Sequence, residues 1–280
     1  MDAFVFSAVL GAALLHASWN ALLKGGGDPF LAVSHTAIMA VIVAGLLLPF
    51  VSLPIAAAWP WLMASAILHT GYRFSLVRMY RAGDLAQVYP IARGAAPLMT
   101  ATITAVAIGE RLTVYGYAGI ALLTTGVFVL SLKGNRLGGL DRHAAGHALL
   151  TSLWITAYSF VDGYGARVNG SGPSFAIWMF FINGATMIPI ALYLRGSEVV
   201  SSLKTGWRLA LGITVMAETA YFIAIWAMTK APIALVAALR ETSVFFAAVL
   251  AVVFLKEPLT RWRVMAAMII VAGAGLMRLG

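Results

Sequence analysis

The chain has 280 residues, of which 61% are hydrophobic and only 10% carry a charge. Its mean hydropathy of +0.92 leaves too few polar side chains to cover the surface of a water-soluble protein. The net charge of +9 would suggest a nucleic-acid partner in a soluble protein. Here the basic residues fall mainly in short connections that cannot form a continuous basic surface. The composition therefore predicts an integral membrane protein.

Apolar segments of roughly 20 residues recur along the chain, and an α-helix needs this length to cross about 30 Å of hydrocarbon. They lack the alternation of polar and apolar residues that is typical of outer-membrane barrel strands. We therefore predict an all-α integral membrane protein with ten transmembrane helices. The predicted spans are residues 3–23, 30–50, 59–80, 85–107, 113–132, 145–166, 174–194, 207–229, 232–255 and 262–279.

The two halves of the sequence share a pattern at a constant offset of 147 residues. This offset carries Arg93 onto Arg240. It also carries Gly-Glu-Arg-Leu-Thr at 109–113 onto Lys-Glu-Pro-Leu-Thr at 256–260, which indicates an internal repeat.

Five helices per half is an odd number, so the second half must enter the bilayer from the opposite side. We therefore predict two inverted five-helix repeats, residues 1–137 and 138–280. Twelve of the basic residues fall at one end of this predicted bundle, four at the other end and three inside the membrane. By the positive-inside rule, this bias predicts that both termini face away from the cytoplasm.

Three arginines and three acids fall inside predicted spans, where a charge costs about 3 kcal/mol on insertion scales. Their formal charges sum to zero, so one hypothesis is that they pair and only fix the packing of the helices. The other hypothesis is that they line a polar cavity. The six residues are Arg73, Arg93, Asp162, Glu218, Arg240 and Glu241.

Polar and aromatic residues recur beside these charges at spacings of three, four and seven, which places each set on one helix face. We predict a central cavity among the first, third, fourth, sixth, eighth and ninth helices. The fifth and tenth helices have no interior charge and are predicted to be peripheral or packing helices. Their glycines allow close approach, and they are Gly116, Gly119, Gly126, Gly273 and Gly275.

The candidate substrate-binding residues combine arginines, which favour bidentate contact with anions, and aromatic or amide side chains. Each aromatic residue taken alone fits an interfacial or packing role equally well. The set is Arg93, Arg240, Tyr72, Tyr89, Trp19, Asn20, Tyr158 and Tyr221.

Glu218 and Asp162 are the candidates for carrying a coupling proton, because burial favours the neutral form of a carboxyl group. The histidines show no ligand spacing beside a carboxylate on one helix. We therefore predict no metal site and no cofactor.

Three segments together resemble the EamA family of the drug/metabolite transporter superfamily. They are His-Ala-Ser-Trp-Asn at 16–20, Gly-Glu-Arg-Leu-Thr at 109–113 and its echo at 256–260. The resemblance implies a secondary carrier, often an exporter of amino acids or other small metabolites, with a cavity lined by central helices of both repeats. In relatives that handle phosphorylated substrates, basic residues on the fourth and ninth helices are similar in placement to Arg93 and Arg240.

The segments at 16–20 and 89–94, Tyr-Pro-Ile-Ala-Arg-Gly in the latter, also resemble permeases near phosphonate-utilisation genes. Many family members are expected to keep both termini in the cytoplasm, which is the reverse of the orientation that the loop charges predict. Both orientations therefore stay open.

The leading hypothesis is a secondary transporter in the inner membrane that moves a small anionic or zwitterionic organic metabolite. Coupling of this transport to a proton is an option. A non-transporting membrane scaffold is the main alternative. An intramembrane enzyme is disfavoured, because the sequence has no His-Glu-x-x-His pattern and no Gly-x-Ser-x-Gly elbow.

Overall fold

A computed structural model describes residues 1–23, 28–82, 85–132, 142–256 and 260–280. Within these ranges the regular structure is entirely helical. The α-helices are α1 (Ala3–Leu23), α2 (Pro29–Leu47), α3 (Trp59–Ala82), α4 (Leu85–Ile108), α5 (Val114–Leu132), α6 (Arg142–Asn169), α7 (Gly172–Arg195), α8 (Glu198–Met228), α9 (Ile233–Arg240), α10 (Ser243–Leu255) and α11 (Arg261–Leu279).

Helices occupy all ten of the predicted segments, but two of the segments differ from the prediction. The segment predicted at 232–255 is divided into α9 and α10 by a break after Arg240. Helix α8 begins at Glu198, nine residues before the predicted start at 207. The extra turns of α8 are polar, and a hydropathy pattern therefore does not count them as part of a span.

Seven helical segments of the described chain are long and apolar enough to cross a membrane. They come from α1, α2, α4, α7, α8, the pair α9 and α10, and α11. Helix α5 is apolar but shorter over its described length, and α3 and α6 are less apolar because they carry many of the interior polar residues. The prediction of ten spans therefore stays a prediction.

Helix ends follow the local capping chemistry of the sequence. The Asp28 carboxylate accepts a hydrogen bond from the Phe30 nitrogen at 2.7 Å, and Pro29 occupies the first helical position of α2. Aspartate at the N-cap followed by proline is a favoured helix start, because proline lacks an N–H that would need a partner. At the other end of the bundle, Gly170 ends α6 with φ of 72°, a conformation that glycine adopts without strain.

Helix α9 lies at the centre of the bundle. Every residue from Ile233 to Leu239 is buried, as expected for a helix that is apolar on all sides. It contacts α1, α4, α5, α6 and α8, and its side chains belong to the largest apolar core. Helix α9, which comes from the second half of the chain, is therefore surrounded by helices of both halves.

Both chain termini lie at the same end of the bundle. The amino group of Met1 donates a hydrogen bond to the carbonyl oxygen of Arg278 at 3.0 Å. We call this the termini end and the opposite end, where α4 and α6 begin, the basic end.

Helices α5 and α11 pack backbone to backbone through glycines. A Cβ atom added to Gly273 would lie 2.7 Å from the Leu123 nitrogen and 2.8 Å from the Gly119 carbonyl oxygen. One added to Gly126 would similarly meet the side chain of Ile270 at 2.6 Å. The backbones of α5 and α11 therefore approach each other closely at Gly126 and Gly273, whereas Gly275 faces open space.

We expect Gly273→Ala to destabilise the protein by about 1–3 kcal/mol, the usual cost of overpacking, because the new methyl group meets backbone atoms that cannot turn away. Gly275→Ala lies in the same helix and serves as the control. It should be neutral or slightly stabilising, since alanine is the better helix former. Thermal unfolding of the detergent-purified variants measures both effects, and equal melting temperatures would contradict the close packing.

Candidate functional site

Two arginines that are 147 residues apart in the sequence line one small cavity in the interior. Arg93 reaches it from α4 and Arg240 from the end of α9. The cavity has a volume of about 10 Å³, which is about the room that one water molecule needs. Its other walls are formed by Ala96, Pro97, Thr100, Ile155, Tyr158, Ser159, Ala237 and Glu241.

Larger hollows lie away from these arginines. One of about 620 Å³ is an apolar groove on the outer side of α10 and α11, and one of about 220 Å³ lies beside α2 and α8. Neither contains a residue of the predicted substrate site. The arginine cavity itself therefore has room for about one water molecule in this conformation.

Arg93 forms a buried ion pair with Glu241. The Arg93 Nε atom lies 2.8 Å from the Glu241 Oε2 atom, and the two side chains are only 4% and 5% exposed. Breaking such a pair leaves a buried charge without compensation, which is costly. For this arginine the structure supports the pairing hypothesis.

Arg240 points in a different direction from its neighbour Glu241, as an angle of about 100° between successive helical residues requires. Its guanidinium carbon lies 4.5 Å from the centre of the Tyr221 ring on α8. This is a cation–π contact, which does not neutralise the guanidinium charge. The Arg240 charge also interacts electrostatically with Glu241, which is paired with Arg93.

The break between α9 and α10 falls beside Arg240. The Glu241 nitrogen donates to the Ala238 carbonyl and the Thr242 nitrogen to the Leu239 carbonyl, at 2.9 and 3.1 Å. These bonds to the third preceding residue tighten the helix into a 3₁₀ turn. The Thr242 hydroxyl also donates to the Leu239 carbonyl at 2.7 Å, a local bond that competes with regular helix.

Asp162 lies one helical turn from the cavity residues Tyr158 and Ser159 on the same face of α6. Its Oδ2 atom contacts the His69 Nε2 atom at 2.8 Å and accepts from the Tyr221 hydroxyl at 2.6 Å. The Asp162 side chain is fully buried, and its Oδ1 atom has no hydrogen-bond partner among the described residues.

Aromatic rings enclose this carboxylate. The His69 and Tyr158 rings are stacked with their centres 4.4 Å apart. The Tyr158 ring meets the edge of Tyr72 at 5.3 Å and of Tyr221 at 6.1 Å. Because Tyr221 contacts both Asp162 and Arg240, this one side chain connects the acidic and basic parts of the site.

Glu218 lies apart from Asp162. It interacts electrostatically with Arg73, whose Nη1 atom donates to the Asn183 carbonyl at 3.0 Å. The Glu218 Oε1 atom is buried without a hydrogen-bond partner in the described part of the chain. The two candidate proton carriers therefore occupy different environments.

The predicted site residues on α1 do not line the cavity. The Asn20 amide nitrogen donates to the His16 carbonyl of its own helix at 2.7 Å. The Trp19 indole nitrogen is buried with no hydrogen-bond partner among the described residues. The side chain of Tyr89 lies outside the described residues. A substrate-binding role for these three residues stays a prediction.

Sequence reasoning missed two features of the interior. Glu241 was counted as an interior charge but was not predicted as a site residue, although its adjacency to Arg240 was a usable signal. The second feature is the pair formed by Glu110, from the repeated Gly-Glu-Arg-Leu-Thr segment, and Arg167. The sequence shows the segment that contains Glu110 and the charge of Arg167. Their contact joins residues 57 positions apart, and no sequence pattern indicates it.

No group of three or more histidine, aspartate or glutamate side chains in the described ranges is arranged to hold a metal ion. The site is therefore characterised by its arginines, its carboxylates and its rings.

We expect Arg93→Gln and Glu241→Gln each to destabilise the protein by about 3–5 kcal/mol, because each removes the ion-pair partner of a buried charge. The double variant removes both charges and should regain most of that stability. Thermal unfolding of the three variants forms a double-mutant cycle. Purely additive losses would show that the pair is not coupled.

Comparison with known proteins agrees with the sequence motifs. Residues 145–279 match the EamA-like transporter family. No curated protein matches the chain. One solved crystal structure has the same fold, with a TM-score of 0.78 and 22% sequence identity over 100% of this chain and 99% of its own. The second half of this multi-pass membrane protein is therefore similar to the EamA-like transporter family, whose members generally transport small molecules.

Proposed function

We propose that this protein is a secondary transporter that moves a small anionic or zwitterionic metabolite across the inner membrane by alternating access. The observation that carries the proposal is the pair Arg93 and Arg240. They correspond across the repeat, come from different halves of the chain and line the same buried cavity. A midplane site at the junction of two repeats is typical of secondary carriers.

The packing of the helices supports two inverted repeats, residues 1–137 and 138–280. Helix α1 packs on α8, and the equivalent pair under the 147-residue offset, α6 and α3, is also in contact. Equivalent helices meet each other as well, α2 with α7, α4 with α9, and α5 with α11. These pairings are those expected if a two-fold axis relates the halves.

The small size of the cavity supports a cycle of conformations. A space of about 10 Å³ holds one water molecule and no metabolite, so a substrate can bind only after the helices move. The break between α9 and α10 lies beside Arg240, and a 3₁₀ stretch within a helix often marks a hinge. We propose that movement at this break opens the arginine site to one side at a time.

Arg240 is the side chain that we propose to receive the acidic group of the substrate, which is a carboxylate, phosphonate or phosphate. Tyr72, Tyr158 and Tyr221 would contact its organic part. The phosphonate-associated branch of the family stays a prediction of the sequence motifs. Asp162 and Glu218 are the proposed proton carriers, since each has a buried carboxylate oxygen without a partner in the described structure.

The Arg93–Glu241 ion pair favours one competing function, a scaffold whose interior charges only join helices. A scaffold and a carrier differ in their response to the neutral double variant Arg93→Gln with Glu241→Gln. In a scaffold this change preserves both the fold and the function. In a carrier it preserves the fold but removes one of the two arginines from the site.

The first measurement is a thermal-shift screen of the purified protein against amino acids, phosphonates and organic anions. A ligand present at about 100 times its Kd should stabilise the folded form by about 2.7 kcal/mol. The compound that raises the melting temperature is then used for uptake into proteoliposomes.

We expect Arg240→Ala to reduce this uptake at least tenfold while the melting temperature without ligand changes little, because Arg240 makes no ion pair with a described residue. The double variant Arg93→Gln with Glu241→Gln should also lose uptake. Arg208→Ala, which removes a charge beside Trp207 on α8, serves as the control. Full uptake by both site variants would refute the arginine site.

A further inference from the structure

Glu110 and Arg167 connect four separate parts of the chain at the termini end. The Arg167 Nη2 atom lies 3.0 Å from the Glu110 Oε1 atom and donates to the Ala231 carbonyl at 2.8 Å. The Arg167 Nε atom donates to the Met228 carbonyl at 2.8 Å. One guanidinium at the end of α6 is therefore bonded to the α4–α5 connection and to the turn between α8 and α9.

The Glu110 carboxylate also holds the start of α9. Its Oε2 atom accepts from the Ala234 nitrogen at 3.3 Å, in the first turn of that helix. A carboxylate at a helix N-terminus is favoured, because the first N–H groups have no partner within the helix and the dipole is positive there. Six residues further on, α9 carries Arg240, about 9 Å away at 1.5 Å per residue.

The contact is joined to the helix face that lines the arginine cavity. Pro97 and Thr100 of α4 line the cavity, and Thr104 follows on the same face, four residues after Thr100. Thr104 is 1% exposed, and its carbonyl accepts from the Glu110 nitrogen at 3.2 Å. Glu110 therefore bonds through its backbone to the helix that lines the cavity and through its side chain to the start of α9.

At the opposite end the position that corresponds to Arg167 holds a neutral residue. The offset of 147 residues relates Arg167 to Asn20 and Glu110 to Glu257. Asn20 is neutral, and its amide nitrogen donates to its own helix, to the carbonyl of His16. Glu257 lies outside the described residues. The repeat therefore carries an arginine at the termini end where the basic end has an asparagine.

We propose that Glu110 and Arg167 are positioning residues of the carrier, which fix α9 and close the passage between the arginine cavity and the termini end. Opening at this end then requires Arg167 to leave Glu110 and both carbonyls. This inference rests on the proposed transport function, but its test does not need a substrate. It gives the Gly-Glu-Arg-Leu-Thr segment a physical role, because its glutamate joins α4 and α6 to α9.

The absence of cysteine from the sequence makes the closure directly measurable. Thr104→Cys places a thiol between the cavity and the contact. Ser152→Cys places one on the cavity face of α6 on the basic-end side, where Ser152 is fully buried. Each thiol is reacted with a hydrophilic maleimide in the detergent-purified protein, first without further change and then with Glu110→Gln and Arg167→Gln together. These amides preserve the shapes of the side chains and remove both charges.

We expect the paired change to raise the labelling rate at position 104 at least tenfold and to leave the rate at position 152 within twofold. Arg111→Gln, which removes an exposed charge next to Glu110, is the matched control and should change neither rate. An unchanged rate at position 104 would refute the closure.

Equal increases at both positions would also refute it, since they would show that the contact only stabilises the whole fold. If labelling changes as expected but no substrate is ever transported, the closure stands and the proposed function fails. If uptake depends on Arg240 but labelling does not change, the proposed function stands and the closure fails.

Discussion

The structure depends on one constraint, which is that a charge inside the bilayer must find its compensation within the protein. Arg93 and Glu241 compensate each other's charge in an ion pair of 2.8 Å. This ion pair also joins α4 to the junction of α9 and α10. Arg240 points in a different direction from Glu241 and interacts with this acid without a close ion pair to it among the described residues. It lies on the Tyr221 ring instead.

Arg93 and Arg240 therefore have different surroundings, although their positions in the sequence suggested the same role for both. The two arginines are related by the 147-residue offset, and a symmetric arrangement of the two halves would give them equivalent partners. Arg93 is held by an acid of the other half, whereas the residue after Arg93 is glycine, so Arg240 has no equivalent acid to pair with. The difference between Gly94 and Glu241 thus makes the site asymmetric. A carrier needs some asymmetry of this kind, because a fully compensated pair of arginines would have no reason to bind an anion.

The positions of the helices could be predicted from the sequence, because the length and hydropathy of a segment determine whether it can cross a membrane as a helix. Each of the ten predicted segments is helical, and the packing role of Gly119, Gly126 and Gly273 followed from their position on apolar helices. The break after Arg240 could not be predicted from the sequence, since no proline or glycine marks it. It arises from hydrogen bonds of Thr242 that a periodic pattern does not show.

The residue types in the candidate site could be read from the sequence, whereas their contacts could not. Arg93, Arg240 and Tyr158 do line one cavity, and Tyr221 lies against Arg240. Asn20 bonds within its own helix, because a short amide near the end of a helix can reach the carbonyl four residues earlier. Partner choice in three dimensions, such as Glu241 for Arg93, depends on helix rotation, and one sequence does not fix that angle.

Stability and movement make opposite demands on this bundle. The glycine contact of α5 with α11 is backbone to backbone and cannot slide without a clash, so this pair is suited to remain fixed. The contacts of α9 are of another kind, because its two ends are held by side chains, Glu110 at its start and Arg93 after its end. Ion pairs and hydrogen bonds can exchange partners with water or with a ligand, whereas interlocked backbones cannot. Because α9 is held by charged contacts at both ends, it is the helix that we propose to move in the transport cycle.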